Sequence, residues 1–109
     1  MYDIDFYIKN DISQVLEFID NLRQRKDKDK DARIQYTQIL SYIQLLADNG
    51  TSGLPENIVK HLEDGIWELR PGKNRVFLFF YNQQNKYVLL HQFRKKSQKT
   101  PAREKKKQK

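Results

Sequence analysis

The sequence predicts an α+β fold in which two N-terminal helices pack on one face of a small, mainly antiparallel sheet. Two segments of the first half repeat their apolar residues at helical spacing, and the second half consists of short apolar runs separated by turn signals. The chain has 109 residues, of which 38% are hydrophobic, and this suffices for one modest core. We therefore expect a single domain over residues 1–109, with residues 102–109 as a basic tail or a short helix.

The N-terminal segment alternates apolar and polar residues from Tyr2 to Lys9, which is typical of a half-buried strand. This pattern predicts a short strand at an edge of the sheet. Asp11 is the expected cap of the helix that follows, with Gln14 as its capping-box partner. The first helix is expected to end near Arg25. Its apolar residues at helical spacing are Ile12, Val15, Leu16, Ile19 and Leu22.

The stretch RQRKDKDKDAR alternates in sign, so we interpret it as an exposed turn between two helices. Tyr36 and Tyr42 are expected to flank the packing face of the second helix. Asn49 and Gly50 supply the signal that ends this helix. The apolar residues that form its packing face in this interpretation are Ile34, Ile39, Leu40, Ile43, Leu46 and Ala47.

The second half of the chain predicts successive strands. Residues 59–62 and 66–70 form a hairpin across the turn at 63–65. Residues 76–81 are apolar at every position, as expected of a central strand that is covered on both faces. Residues 87–93 follow a polar loop and form the last strand. One face of this sheet carries the helices, and the other face is expected to be free for function.

Charge is distributed unevenly along the chain. Residues 1–64 contain eight Lys and Arg against twelve Asp and Glu, and residues 65–109 contain thirteen against two. The two parts therefore carry net charges of −4 and +11. Clustered cations favour a polyanion such as nucleic acid as partner, because phosphate neutralisation releases counterions. For the terminal KKKQK, a solvated tail is the alternative interpretation.

Several classes of function lack a basis in the sequence. The absence of cysteine excludes a disulfide framework, a thiolate metal site and a cysteine nucleophile. No apolar run approaches the roughly 20 residues of a transmembrane helix, and the N-terminus does not resemble a signal peptide. We expect a cytoplasmic protein without membrane contact. The sequence has no glycine-rich phosphate loop and no cluster with metal-ligand spacing, so neither a cofactor nor a metal is expected.

Two arginines stand on either side of a Pro-Gly turn. Alternation along residues 66–70 makes Trp67 and Leu69 core candidates and turns Arg70 towards solvent. Arg75 begins the next strand and is expected near Arg70 on the same solvent face. Paired guanidinium groups suit a phosphate, because each can donate two hydrogen bonds to it. The alternative is a surface ion pair between Arg70 and a glutamate of the hairpin, Glu63 or Glu68.

His91 is a candidate for proton transfer on the last strand. A neutral imidazole can take a proton from a ribose 2′-hydroxyl, while nearby cations stabilise the charge that develops at phosphorus. Alternation places His91 on the same strand face as Leu89, Phe93 and Lys95. His61 on the first hairpin strand is the other histidine. A packed or surface histidine is the alternative interpretation of both.

Residues 60–101, KHLEDGIWELRPGKNRVFLFFYNQQNKYVLLHQFRKKSQKTP, resemble the core of the RelE/HigB toxins, in the phage-protein-like branch of that superfamily. The shared motifs are the WELR strand, an arginine that opens the next strand, and an H-x-F-x-K-K segment that leads to K-T-P. The resemblance implies a RelE-like fold and the toxin of a type II toxin–antitoxin system. Such toxins are typically ribosome-dependent endoribonucleases, in which the RNA 2′-hydroxyl attacks the adjacent phosphate without a metal.

The resemblance also implies roles for individual residues. Arg70 and Arg75 would hold the phosphates. Lys95 and Lys96 match the basic segment after the last strand, and His91 is an acid–base candidate. The implied partners are mRNA on the ribosome and a HigA-like helix-turn-helix antitoxin that covers this face. Further contacts with RNA are expected from Lys60, His61, Lys73, Arg94 and Lys99.

One departure from the family pattern concerns a tyrosine. Many RelE-type toxins place an active-site tyrosine near the end of the last strand region, where this chain has Phe93 and Ser97. Two alternatives to an endoribonuclease therefore stay open. One is a ParE-type toxin that inhibits gyrase, since the superfamily shares a fold and a fold does not fix a function. The other is a non-catalytic nucleic-acid-binding module that uses the same basic face.

Overall fold

The computed structural model describes residues 1–95, and residues 96–109 lie outside the described part. A five-stranded sheet carries two helices on one face, with the strands in the order β1-β5-β4-β3-β2. β1 runs parallel to β5, and all other neighbours are antiparallel. The predicted α+β architecture is confirmed. In chain order the elements are β1 (Asp3–Phe6), α1 (Gln14–Arg25), α2 (Lys30–Asn49), β2 (Val59–Glu63), β3 (Ile66–Leu69), β4 (Asn74–Tyr81) and β5 (Lys86–Arg94).

β1 is the expected edge strand. It pairs with β5 from Asp3 opposite Lys86 to Phe6 opposite Leu89, so the two halves of the chain meet here. Lys86 also donates a hydrogen bond of 2.8 Å to the Asp5 carboxylate, and this bond lowers the pKa of Asp5. The parallel pairing brings the start of the chain next to its last strand.

Helix α1 begins at a different cap from the one expected. The Ser13 hydroxyl accepts a hydrogen bond of 3.1 Å from the Leu16 N–H, which makes Ser13 the N-cap. The expectation for Asp11 was wrong, because Asn10 and Asp11 form a tight turn with φ values of 54° and 64°. Asparagine and aspartate tolerate this left-handed conformation better than most residues. Gln14, the expected capping-box partner, is half-buried and hydrogen-bonds to Gln92 on β5 instead.

Helix α2 ends at the predicted Asn49-Gly50 signal, but it begins at Lys30, within the stretch RQRKDKDKDAR that was expected to be a turn. The Asp29 carboxylate caps it by accepting a hydrogen bond of 3.2 Å from the Ala32 N–H. Gly50 ends it with a φ of 72°, and its N–H donates to the Leu46 carbonyl at 2.8 Å. A β-carbon at Gly50 would stand 2.8 Å from the Tyr2 ring. Glycine therefore permits both the turn and the close approach of the N-terminal segment.

The core lies between the helices and the sheet. Tyr36 and Tyr42 are half-buried and pack against it, as expected. Ile34 and Leu40 were expected on the packing face of α2, but they are 51% and 40% exposed. The face that meets the sheet is centred on Ile39, so these two side chains fall on its flanks. The fully buried apolar residues are Val15, Leu22, Ala32, Ile39, Leu46, Val59, Leu69, Val76, Leu78 and Leu89.

The remaining strands follow the prediction closely. β2 and β3 form the expected hairpin, and its turn residues Asp64 and Gly65 have φ values of 52° and 77°. Leu69 is buried, and Trp67 is half-buried against the core. β4 is central, but within residues 1–95 the helices cover only one of its faces. None of the helices in these residues is long and apolar enough to cross a bilayer.

A row of four side-chain amides crosses the core where β4 begins, and we call it the amide chain: Gln14, Gln92, Asn74 and Gln35. Asn74 Nδ2 donates to Gln35 Oε1 on α2 at 3.0 Å, and Gln92 Nε2 donates to Asn74 Oδ1 at 3.0 Å. The Gln92 N–H donates to Gln14 Oε1 on α1 at 2.7 Å, and Gln14 Nε2 donates to the Gln92 carbonyl at 3.0 Å. The amide chain therefore joins both helices to the two inner strands β4 and β5.

Replacing Asn74 tests the contribution of the amide chain to stability. Asn74→Ala removes the hydrogen-bond partner of two buried atoms, Gln35 Oε1 and Gln92 Nε2. Each such loss costs about 1–3 kcal/mol, so we expect the free energy of unfolding to fall by about 2–4 kcal/mol in urea titrations. The matched control is Asn57→Ala at an exposed position, with an expected change within about 0.5 kcal/mol. Equal stability of the two variants would show that the amide chain contributes nothing specific.

Candidate functional site

The sheet face without helices, which we call the open face, carries most of the candidate residues. Residues directly opposite each other on antiparallel strands share a face. One row across the open face therefore runs from Lys60 through Glu68 and Phe77 to His91. In the next row, towards the β3–β4 turn, Arg75 stands opposite Phe93. The two rows place cations, aromatic rings and an imidazole on one surface.

Glu68 joins the two arginines that the sequence singled out. Arg70 Nε donates a hydrogen bond of 3.1 Å to Glu68 Oε1, and Arg75 Nε lies 3.9 Å from the same oxygen. The alternative interpretation of Arg70, an ion pair with Glu68, is thereby confirmed. Glu68 is buried, whereas Arg70 is half-buried. A buried carboxylate thus fixes two guanidinium groups side by side, because each cation compensates its charge.

The expectation that Arg75 faces solvent was wrong, since the residue is only 9% exposed. Its Nη1 donates to the carbonyls of Gly72 and Asn74, both at 2.8 Å. Burial lowers the pKa of Arg75 and the charge of Arg70 lowers it further, whereas Glu68 raises it. Arginine nevertheless stays protonated in proteins. Arg75 is therefore a fixed cation that is anchored to the β3–β4 turn.

The β3–β4 turn gathers further cations at this end of the sheet. The Lys95 N–H donates a hydrogen bond of 2.6 Å to the Lys73 carbonyl, which holds the end of β5 against the turn. Gly72 has a φ of 63°, and a β-carbon there would overlap the side chain of Gln38 on α2. Gln38 has a flexible side chain that can move away, so it is the left-handed backbone at Gly72 that favours glycine here. We call Arg70, Lys73, Arg75 and Lys95 the basic end of the sheet.

A β-bulge in β5 determines the orientation of His91. Phe77 pairs with His91, but the next pair joins Leu78 to Leu89, so Leu90 is an extra residue. The bulge reverses the alternation of β5 at this point. Leu89 is buried under the helices, whereas His91 is exposed on the open face. The expectation that these two residues share a face was wrong, although Phe93 does lie on the same face as His91.

The second histidine lies elsewhere. His61 stands opposite Trp67, and their ring centroids are 4.9 Å apart. Trp67 packs against the core, so this pair belongs to the helix-bearing side of the sheet. His61 and His91 are therefore on opposite faces, and they are not placed to act as an acid–base pair.

The other predicted RNA contacts are divided between the two faces. Lys60 is half-buried on the open face, and Lys73 is exposed in the β3–β4 turn. Arg94 stands opposite Asn74, whose side chain bonds to α2. Alternation therefore places Arg94 on the helix-bearing side, away from Arg70 and Arg75. Lys96 and Lys99 lie outside the described residues.

Two aromatic rings in the site were not identified as functional from the sequence. The centroids of Phe77 and Phe93 are 5.3 Å apart with an interplanar angle of 47°, and Phe93 is 37% exposed. Unpaired RNA bases stack on such rings in many proteins. The available signal was the H-x-F spacing, which places an aromatic residue two positions after a histidine. Within residues 1–95 no group of His, Asp and Glu side chains is arranged to hold a metal ion.

Comparisons with known proteins agree with this architecture. The family model "Phage derived protein Gp49-like (DUF891)" matches residues 22–109. The fold is similar to that of RelE in the archaeal RelE–RelB complex from Pyrococcus horikoshii OT3, with a TM-score of 0.53 and 15% identity over 85% of this chain and 93% of that chain. A chain of the toxin–antitoxin complex RelBE2 from Mycobacterium tuberculosis gives a TM-score of 0.48 and 18% identity over 86% and 91%. No curated protein matches the sequence.

Replacing Glu68 tests whether it holds the two arginines together. Glu68→Gln keeps the shape of the side chain but removes the charge between Arg70 and Arg75. We expect the free energy of unfolding to fall by about 1–3 kcal/mol. Hydrogen bonds to charged groups contribute about this much to stability, and a buried group that loses its partner costs a similar amount. The control is Glu63→Gln, an exposed glutamate of the same hairpin, with an expected change within about 0.5 kcal/mol. If both variants unfold at the same urea concentration as the parent chain, Glu68 does not hold the arginines.

Proposed function

Because the chain belongs to the Gp49-like family of phage-derived proteins, within the RelE toxin superfamily, we propose that it is the toxin of a type II toxin–antitoxin system and cleaves mRNA on the ribosome. The resemblance of residues 60–101 to the RelE/HigB toxins is confirmed at the level of this family and of the RelE fold. The proposal goes further in three respects: that the chain cleaves RNA, that it does so on the ribosome, and that its antitoxin is HigA-like.

The observation that carries the proposal is the pair of arginines that one buried glutamate fixes on the open face, next to an exposed histidine. Arg75 and His91 are diagonal neighbours across β4 and β5, which places these two residues about 7–8 Å apart. A phosphate between the two residues can lie near the fixed guanidinium group, while the neighbouring ribose contacts His91. Charge and proton transfer are therefore available around a single phosphodiester.

The proposed reaction uses the nucleophile that RNA itself supplies. The ribose 2′-hydroxyl loses its proton to a base and its oxygen attacks the adjacent phosphorus. The bond from phosphorus to the 5′-oxygen of the next nucleotide then breaks, and that oxygen takes up a proton. The products are a 2′,3′-cyclic phosphate and a 5′-hydroxyl. Histidine is the side chain that most often transfers such protons, and His91 is the described histidine on the open face.

The arginines have distinct parts in this proposal. Arg75 is anchored by two carbonyls, so it supplies a preorganised charge for the phosphate in the transition state. Within residues 1–95, its Nη2 makes no hydrogen bond. Arg70 is more exposed and is bound to Glu68 through Nε only, so its terminal nitrogens can turn to a phosphate oxygen. Fixed donors lower the barrier because they need no rearrangement during the reaction.

The remaining cations act on the RNA backbone and on the partner. Lys73 and Lys95 extend the basic end, and Lys60 extends the open face. Lys96 and Lys99 follow directly in the sequence and keep their proposed roles. RelE of Pyrococcus horikoshii was solved in complex with RelB. We propose that a HigA-like helix-turn-helix antitoxin covers the open face of this chain in the cytoplasm.

Replacing Arg70 tests the ribonuclease directly. Arg70→Ala removes a cation that also pairs with Glu68, so thermal unfolding is measured to show that the variant is folded. Loss of one donor to a transition-state oxyanion typically lowers the rate by about 10²–10³-fold. Cleavage is measured by induced expression in growing bacteria and mapping of new mRNA ends. The matched control is Arg33→Ala, an exposed arginine on α2, which should cleave like the parent chain. Arg75→Lys keeps the charge but loses the fork, and we expect a similar loss.

Each of the following outcomes would contradict the proposal or one of its parts. Full cleavage by Arg70→Ala would remove Arg70 from the site. Normal growth and intact mRNA with the parent chain, despite confirmed folded protein, would exclude the ribonuclease. Inhibition of gyrase supercoiling by the purified chain would then indicate a ParE-type toxin, and salt-sensitive RNA binding without scission would indicate a binding module.

The two histidines provide an internal comparison. His91→Gln removes the proposed proton-transfer group from the open face, and we expect cleavage on programmed ribosomes to slow by about 10²-fold or more. His61→Gln lies on the opposite face, so its rate should equal that of the parent chain. Equal rates for both variants would show that neither histidine transfers a proton, and a slower His61→Gln would contradict the assignment of the faces.

A further inference from the structure

A cleft of about 290 Å³ opens where the segment between β1 and α1 meets the bulge of β5. Its volume is near the lower end of the range of small-molecule sites, about 300–1,000 Å³. Of the residues in the proposed catalytic site, only His91 lines it. Its lining residues are Tyr7, Lys9, Asn10, Ile12, Gln14, Leu90 and His91.

The cleft combines apolar walls with uncommitted polar groups. Tyr7 and Ile12 are 49% and 50% exposed, and with Leu90 they provide the apolar surface. Gln14 is bound to Gln92 as part of the amide chain. The other polar side chains, those of Tyr7, Lys9, Asn10 and His91, make no hydrogen bond or ion pair with any of residues 1–95.

Several contacts hold the walls of the cleft in place. The Tyr7 N–H donates to the Leu89 carbonyl at 2.8 Å, which attaches the end of β1 to β5. Lys9 and Ile12 exchange two backbone hydrogen bonds, of 2.8 and 3.1 Å, across the left-handed pair Asn10-Asp11. The bulge at Leu90 forms the opposite wall. The cleft is therefore largely formed before a ligand binds, which lowers the entropic cost of binding.

We propose that this cleft binds one unpaired nucleotide of the RNA, next to the phosphate that Arg70 and Arg75 hold. A nucleotide has a flat ring for stacking, a polar edge and an anionic phosphate. Tyr7 offers an aromatic surface, the Asn10 amide can donate to and accept from a base edge, and Lys9 is a cation for the phosphate. His91 belongs to both the cleft and the open face, so the RNA strand can run continuously between them.

This inference rests on the proposed function and extends it to sequence preference. Phosphate contacts at the basic end position an RNA strand but carry no sequence information, whereas contacts to base edges do. The cleft contains the amide and the ring that such contacts need. Asn10 is thus assigned as a specificity-determining residue, and Tyr7 and Lys9 as residues that hold the nucleotide.

The test measures binding of four fluorescein-labelled, single-stranded RNA decamers, oligo-A, oligo-C, oligo-G and oligo-U, by fluorescence anisotropy at fixed salt. Tyr7→Leu should bind about tenfold or more weakly, the effect of losing one stacked base. Asn10→Gly keeps the left-handed backbone, and it should change the ranking of the four decamers. Arg70→Ala should instead weaken the binding of all four by a similar factor.

The matched controls are exposed residues away from the cleft. The control for Tyr7→Leu is Tyr81→Leu, at the last residue of β4. Lys9→Gln is tested in the same way, and its control is Lys28→Gln, in the turn between the helices. Both controls should bind within about twofold of the parent chain, since surface substitutions change little. Thermal unfolding is measured for every variant, so that weaker binding by a folded variant can be distinguished from loss of the fold.

The outcomes separate this inference from the proposed function. If the parent chain cleaves mRNA but Tyr7→Leu, Lys9→Gln and Asn10→Gly bind and cleave with unchanged preference, the inference is overturned and the proposed function stands. If these variants keep RNA binding but lose an antitoxin, the cleft is a protein-docking site and the inference is also overturned. If the parent chain neither binds nor cleaves RNA, both fail together.

Discussion

The requirement that buried amides find hydrogen-bond partners determines the geometry of this molecule where β4 begins. Asn74 and Gln92 satisfy each other across β4 and β5, and each also bonds to a glutamine on one of the two helices. A buried amide that loses its partner costs stability, so the register of the strands and the seating of both helices are coupled. The amide chain thus acts as one unit, in which no member can shift without leaving another unpaired.

The same constraint positions the opposite face of the sheet. Neighbouring residues of a strand point to opposite sides. Arg75 follows Asn74, and His91 and Phe93 flank Gln92, so these three residues lie on the face opposite to the amides. Fixing the amides on the helix-bearing side therefore fixes the cation, the imidazole and the ring on the open face. Glu68 adds a second restraint, because it holds Arg70 and Arg75 from the neighbouring strand. Stability and the proposed chemistry share the same stretch of backbone.

The sequence predicted the elements well, because helical and strand spacing are local properties of the chain. It failed where a long-range contact decided the outcome. The bulge at Leu90 exists through the pairing of β5 with β4, so alternation alone wrongly assigned Leu89 and His91 to the same face. Arg75 looked exposed because the sequence does not show the carbonyl that binds it. This carbonyl is that of Gly72, in a turn whose shape depends on the positive φ of that glycine. Asp11 was a reasonable cap by residue type, but the tight turn gave that role to Ser13.

The position of Tyr7 illustrates this limit most clearly. The resemblance to the RelE toxins implies a tyrosine near the end of the last strand, where this chain has Phe93 and Ser97. The parallel pairing of β1 with β5 places Tyr7, from the other end of the chain, in the same cleft as His91. No local motif contains that contact, since it depends on which strands lie side by side. In the proposed arrangement the basic end supplies positive charge, which does not distinguish one base from another. The cleft beside His91 supplies an aromatic ring and an amide, which can distinguish bases.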